Sequence, residues 1–147
     1  MNAPDLTQHP PRSPRVRLGG YALLPRMLDK GRATIAGKNG EYNYNCPNDQ
    51  QFLNFAGVSA SALQEELAKG KGDGEILEWI KANAKFNRTE AEIQAWSVWV
   101  DQRAPNNPEG REYFNSAHKT TAPQRADVVT WSDLLDLDDY VSFGGKA

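Results

Sequence analysis

The sequence predicts a mainly α-helical single domain with an extended, Pro/Arg-rich N-terminal arm. Three observations lead there. From Tyr21 onward, apolar residues recur at the three- and four-residue spacing of helices. The runs open on capping residues or an early proline and close at glycine or proline. Strand-like alternation is confined to one stretch near 37–46, which has room for a short hairpin at most. A chain of 147 residues can bury roughly 68–70% of its unfolded surface, enough for one independent core. The expected division is an arm over 1–20 and a single helical domain over 21–147.

The arm reads "HPPRSPRVRLGGY" from His9 to Tyr21. Pro10, Pro11 and Pro14 fix φ and favour a polyproline II path, and Gly19-Gly20 permits a sharp turn at its end. Tyr21, Leu24, Leu28 and Ile35 share one helical face, with Pro25 near the first turn. Gly31 weakens the middle of that helix, and Gly37 suits the position just past its end. Asn39-Gly40 is the strongest hairpin-turn dipeptide, but only the flank holding Tyr42, Tyr44 and Cys46 alternates. A turn followed by an extended segment to Pro47 is therefore expected.

Five to seven short helices in all are expected. Asn48 or Asp49 caps a run through Phe52, Leu53 and Phe55. Ser59 or Ser61 caps one with Leu63 and Leu67, and Asp73 one with Ile76, Leu77 and Ile80. Thr89 to Glu92 form a capping box ahead of Ile93, Trp96, Trp99 and Val100. Pro108 opens a run through Tyr113, Phe114 and Ala117, and Thr130 or Ser132 one with Trp131, Leu134 and Leu135. The four tryptophans, Trp79, Trp96, Trp99 and Trp131, sit among aliphatics at helical spacing and are assigned to the core.

The net charge of −2 conceals an asymmetry. Residues 1–38 hold seven Lys/Arg against two aspartates, whereas Ala126–Gly145 holds five aspartates and no Lys or Arg. A basic front and an acidic back in one small domain attract each other, an internal answer to be weighed beside any outside partner. No apolar run approaches the ~20 residues of a bilayer span. The first residues lack the apolar stretch of a signal peptide, so no membrane contact and a cytoplasmic setting are expected. One cysteine, Cys46, forms no internal disulfide and no multi-cysteine zinc cage. The histidines lie far apart and "DLLDLDD" lacks calcium-loop spacing, so no metal is expected. Neither GxGxxG nor a P-loop lysine occurs, and no cofactor is expected.

Four long stretches carry a resemblance. "PPRSPRVRLGGY" spans Pro10–Tyr21, and Leu24–Ala33 follows "LxRxxDKxRA". "AGKNGEYNYNCPNDQ" spans Ala36–Gln50, and "WSDLLDLDDY" spans Trp131–Tyr140. Together they cover nearly the whole chain, which resembles a small bacterial domain family of unknown function. The resemblance implies membership and brings no activity, cofactor or catalytic residue with it.

The first functional reading is a binding or interaction module with a polar, positively charged site. Arg12, Arg15 and Arg17 of the arm converge there with Lys30 and Arg32 of the first helix, since arginine forks bind carboxylate or phosphate at two points. Tyr42 and Tyr44 form walls, while Asp29 and Asp49 orient the cations. The ligand is an anionic small molecule or an acidic protein surface. A second reading is an enzyme using Cys46, or a carboxylate, in the same pocket, with His9 or His118 as base and Asp49 as orienter. A third is a weak nucleic-acid or ribosome contact through the arm, although the acidic remainder argues against a large footprint.

Overall fold

The computed structural model describes residues 2–147, so Met1 of the expected arm lies outside it. Among the described residues seven helices follow in order. They are α1 (Leu24–Ile35), α2 (Pro47–Ala56), α3 (Ala60–Ala68), α4 (Asp73–Asn83), α5 (Glu90–Gln102), α6 (Pro108–Thr121) and α7 (Trp131–Ser142). Pairing of extended backbone amounts to one isolated bridge, Leu18 with Tyr21. The class is mainly α.

The bridge explains the glycine pair. Leu18 and Tyr21 exchange backbone hydrogen bonds of 3.2 and 3.0 Å across Gly19 (φ 59°) and Gly20 (φ 84°). Two successive positive φ angles are what a type I′ turn requires. A Cβ on Gly19 would also lie 2.5 Å from Leu77 Cδ1, so backbone and packing both demand glycine. The 37–46 stretch forms turns without a hairpin: Tyr42 N donates to Asn39 O at 2.9 Å, and Asn45 adopts φ 61°. The arm before the bridge is packed down, with Leu6, Pro11 and Pro14 buried and Pro14 O accepting from Leu23 N at 3.0 Å.

Helix starts follow the chemistry of exposed N–H groups, with two corrections. Thr89 and Glu92 form the expected reciprocal box on α5, and Thr130 with Asp133 repeats it on α7. Ser59 caps α3. However, α2 starts two or three residues earlier than the Asn48 or Asp49 cap implies. Cys46 occupies the cap, Pro47 opens the first turn, and Asp49 accepts from Asn45 N at 2.8 Å. Gly72, not Asp73, precedes α4, and the Glu75 carboxylate accepts from Gly72 N.

Two cores result. The larger joins Tyr21, Leu24, Met27, Leu28, Phe52, Leu63, Leu67, Ile76, Ile80, Trp96 and Val100, from the arm's end and α1 to α5. The smaller holds Phe114, Ala122, Val128, Leu134 and Leu137 from α6, α7 and their connection. A fully buried Leu or Phe of this kind contributes about 1.5–3 kcal/mol. Of the tryptophans, Trp96 is buried and Trp79 and Trp131 pack half-buried on the two cores. Trp99 is corrected to the surface, 50% exposed, because Ile93, Trp96, Ser97 and Val100 occupy the inward side of α5. Ser97 is an inward polar residue that periodicity misses. It accepts from Ala22 N and donates to Gly20 O at 2.6 Å, binding the end of the arm to α5. Ile35 and Tyr113 likewise lie outward, and Leu134 and Leu137, not Leu135, are the buried leucines of α7.

Candidate ligand cleft

The arm's arginines fan out over the domain instead of meeting in one pocket. Arg12 grips Asp29 with Nε and Nη2 at 3.0 Å each and reaches Asp73 at 2.7 Å. Arg15 lies on Asp133 and Asp136 of α7, and Arg17 forks onto Asp101 of α5 at 3.0 and 2.7 Å. Arg32 shares Asp73 with Arg12. Burial of Asp73 works against its charge, but the hydrogen bonds from Arg12 and Arg32 prevail and hold its carboxyl below the usual aspartate range. The internal charge asymmetry read from the sequence is thus answered largely within the domain.

Helix α1 buries three of its cations, each on a partner. Arg26 meets Asp139 at 2.8 and 3.3 Å, with both side chains under 10% exposed. Tyr42 also donates to Asp139 at 2.7 Å. Burial, and then that hydrogen bond to a carboxylate, push the Tyr42 hydroxyl far above the ordinary tyrosine range. Lys30 is 4% exposed, lies 2.9 Å from Asp49 and donates to Cys46 Sγ at 3.2 Å. Lys30, Cys46 and Asp49 are therefore brought together, and Lys30, Cys46 and Tyr42 line one cavity. Tyr44 stands apart, donating to Ala60 O on α3. Neither histidine joins Cys46: His9 bonds to Pro10 O and His118 to Arg125 O. Lys30, an ammonium, takes the place at Cys46 that a base was expected to fill.

Between the two cores runs a cleft of two connected lobes. One, of about 630 Å³, is lined by Arg26, Lys30, Tyr42 and the Glu41 side of the loop. The other, of about 510 Å³, lies between the start of α2 and the α6–α7 pair, with Tyr113, Trp131 and Leu134 as apolar walls. Cys46, Asn48, Tyr113, Leu135 and Asp138 line both.

Arg103 stands at the end of α5 in the second lobe. Its guanidinium donates to Asn48 Oδ1 at 3.1 Å and lies 5.5 Å from the centre of the Trp99 ring. Among the described residues it has no carboxylate partner, and burial pushes it below the ordinary arginine value. The sequence points to none of Arg103, Asn48 and Tyr113 as a site residue, offering Asn48 only as a helix cap and Tyr113 only as part of the run opened by Pro108. Their sole signal was an arginine two residues before Pro105, at a helix end, which is common in any helical protein.

The model for a domain of unknown function, DUF5069, matches residues 8–141. The chain belongs to the DUF5069 family. No curated protein is significantly similar to it. The DUF5069 match takes in every cleft residue named above, from Arg26 to Asp138. Among the described residues of this DUF5069 domain, no three or more His, Cys, Asp or Glu are grouped to hold a metal ion, and no helix is long and apolar enough to cross a membrane.

Proposed function

We propose that the protein is a small-molecule binding module whose cleft between the two cores takes an anionic group at Arg103. The observation that carries this reading is the contrast among cations. Arg12, Arg15, Arg17, Arg26, Lys30 and Arg32 each sit on an aspartate, whereas Arg103, among the described residues, meets no carboxylate, only the Asn48 amide and the Trp99 ring. A guanidinium in partly dry surroundings gains more from an incoming carboxylate or phosphate than a solvated one. Lobe volume and apolar walls are those of a small-ligand site. An acidic protein surface would instead need the arm's arginines, and these are engaged. The same engagement leaves the arm little free charge for nucleic acid. A half-exposed single thiol accords with a reducing, cytoplasmic setting.

The test uses Cys46 as a reporter, because it lines the same lobe. Alkylation rates by anionic iodoacetate and neutral iodoacetamide are compared with those of a free thiol in solution. The anionic reagent should be favoured in the native protein, and Arg103→Gln should lower that preference several-fold. An unchanged ratio sinks the reading.

A second reading, thiol chemistry at Cys46, is supported by its place at the start of α2 with Lys30 Nζ 3.2 Å from Sγ. It predicts rapid labelling of Cys46 by iodoacetamide at neutral pH, and a slow, free-thiol-like rate argues against it.

A further inference from the structure

The Arg103 lobe contains one other full charge, Asp138 of α7. Its neighbour Asp139 turns inward and is consumed by Arg26 and Tyr42. Asp138 is exposed at the rim of the cleft, where no cation pairs with it among the described residues, and it lines both lobes. The protein packed around it, and then the charge of Asp139, push its carboxyl above the usual aspartate range despite the opposing pull of Arg26. The lobe thus offers one cation and one anion, both without an ionic partner, across walls of Tyr113, Trp131 and Leu134.

We infer that the ligand is a zwitterion, a small molecule bearing a carboxylate, an amine and an apolar or aromatic side chain. The carboxylate meets Arg103 and Asn48, the ammonium meets Asp138, and the side chain packs on Tyr113, Trp131 and Leu134. This rests on the anionic reading of the cleft and narrows it. A phosphate dianion would set two charges against a single arginine and meet repulsion from Asp138. A monoanion without an amine would leave Asp138 facing it unanswered. A lobe of about 510 Å³ holds a ligand of amino-acid size, and the shared lining leaves room for a longer one to extend toward Cys46.

Calorimetric titration of the full chain with three matched probes decides the matter. L-Phenylalanine carries both charges, N-acetyl-L-phenylalanine lacks the ammonium and L-phenylalaninamide lacks the carboxylate; a leucine series repeats the comparison with an aliphatic side chain. The zwitterion should bind roughly tenfold more tightly than either singly charged probe, the usual scale for one hydrogen-bonded charge. Asp138→Asn should abolish its advantage over the N-acetyl probe, and Arg103→Gln its advantage over the amide. If the N-acetyl probe binds the native protein as tightly as the zwitterion, the zwitterion is overturned while the anionic cleft stands. If the amide binds as tightly and Arg103→Gln changes nothing, both fall. Absence of binding by both series at millimolar concentration also overturns the inference, leaving the Cys46 alkylation ratio to judge the anionic cleft separately.

Discussion

Arg26 and Asp139, 113 positions apart in the chain, face each other through two hydrogen bonds in a site nearly closed to water. The pair joins α1 of the larger core to α7 of the smaller one. Asp139 also accepts from Tyr42, so its lone pairs are well used. Removing one member of such a pair leaves an uncompensated buried charge, which costs about 3–5 kcal/mol. Arg26→Met alone should therefore lower stability by about that amount in chemical denaturation. Arg26→Met combined with Asp139→Leu should recover most of it. Equal losses in the single and double variants would show that shape, not charge, is what the site demands.

The arm makes a different prediction because its ion pairs are half in water. The Arg15 and Arg17 side chains are 39% and 33% exposed. Exposed pairs contribute ~0.2–1 kcal/mol each, and the two arginines make three, with Asp133, Asp136 and Asp101, so Arg15→Ala with Arg17→Ala should cost about 0.6–3 kcal/mol. The loss should shrink in high salt, since the lost attraction is screened there. Melting curves of both proteins across salt concentration check this, and a loss independent of salt would assign the arginines a packing role.

Asp138→Asn should stabilise the protein at neutral pH. The carboxyl is raised above its ordinary 3.8 in the folded state, so folding is disfavoured once the group ionises. That penalty is absent below the unfolded value and grows as pH rises through the folded one. Asp73 runs the other way. Its lowered folded value contributes stability present above 3.8 and lost as pH falls through the folded value. Unfolding free energies of wild type and Asp138→Asn should converge in acid and separate toward neutrality, and parallel curves would contradict the assignment.

Gly31→Ala pits helix propensity against packing. In a free helix the change would stabilise by up to about 1 kcal/mol. At Gly31, however, a Cβ would lie 2.6 Å from Leu67 Cδ1 and 3.2 Å from the Tyr44 ring. Overpacking of this kind costs about 1–3 kcal/mol, so the variant should be net destabilised. A higher melting temperature would show that α3 and Tyr44 yield without strain.

Much of the fold was legible because short-range chemistry sets it. The Thr89 and Thr130 caps, the Gly19-Gly20 turn and the apolar faces of α3 and α4 follow from local sequence. Gly31 shows where local reading runs out: it is a flaw in α1 until α3 packs against it. Trp99 shares an apolar run with Ile93, Trp96 and Val100, but those three form the i, i+3, i+7 side that packs on the larger core, beside Ser97, and Trp99 lies off it. The site was read in part. Lys30, Cys46 and Asp49 do meet, but Arg103 and Asp138 come from distant helices and match no motif. Arg103 stands out by being half-buried with no carboxylate partner among the described residues, and no sequence records that.

The seam between the two cores is largely polar, stitched by Arg15, Arg26, Tyr42 and a backbone bond from Trp131 N to Arg103 O. Each core shields its own amide groups from solvent exchange, and among the described residues their buried apolar clusters are separate. In an isotope-labelling experiment the α6–α7 hairpin should accordingly exchange as its own cooperative unit, opening before the remainder of the chain. Opening of that unit would part the cleft along its length, giving a ligand a way in that does not require the larger core to loosen.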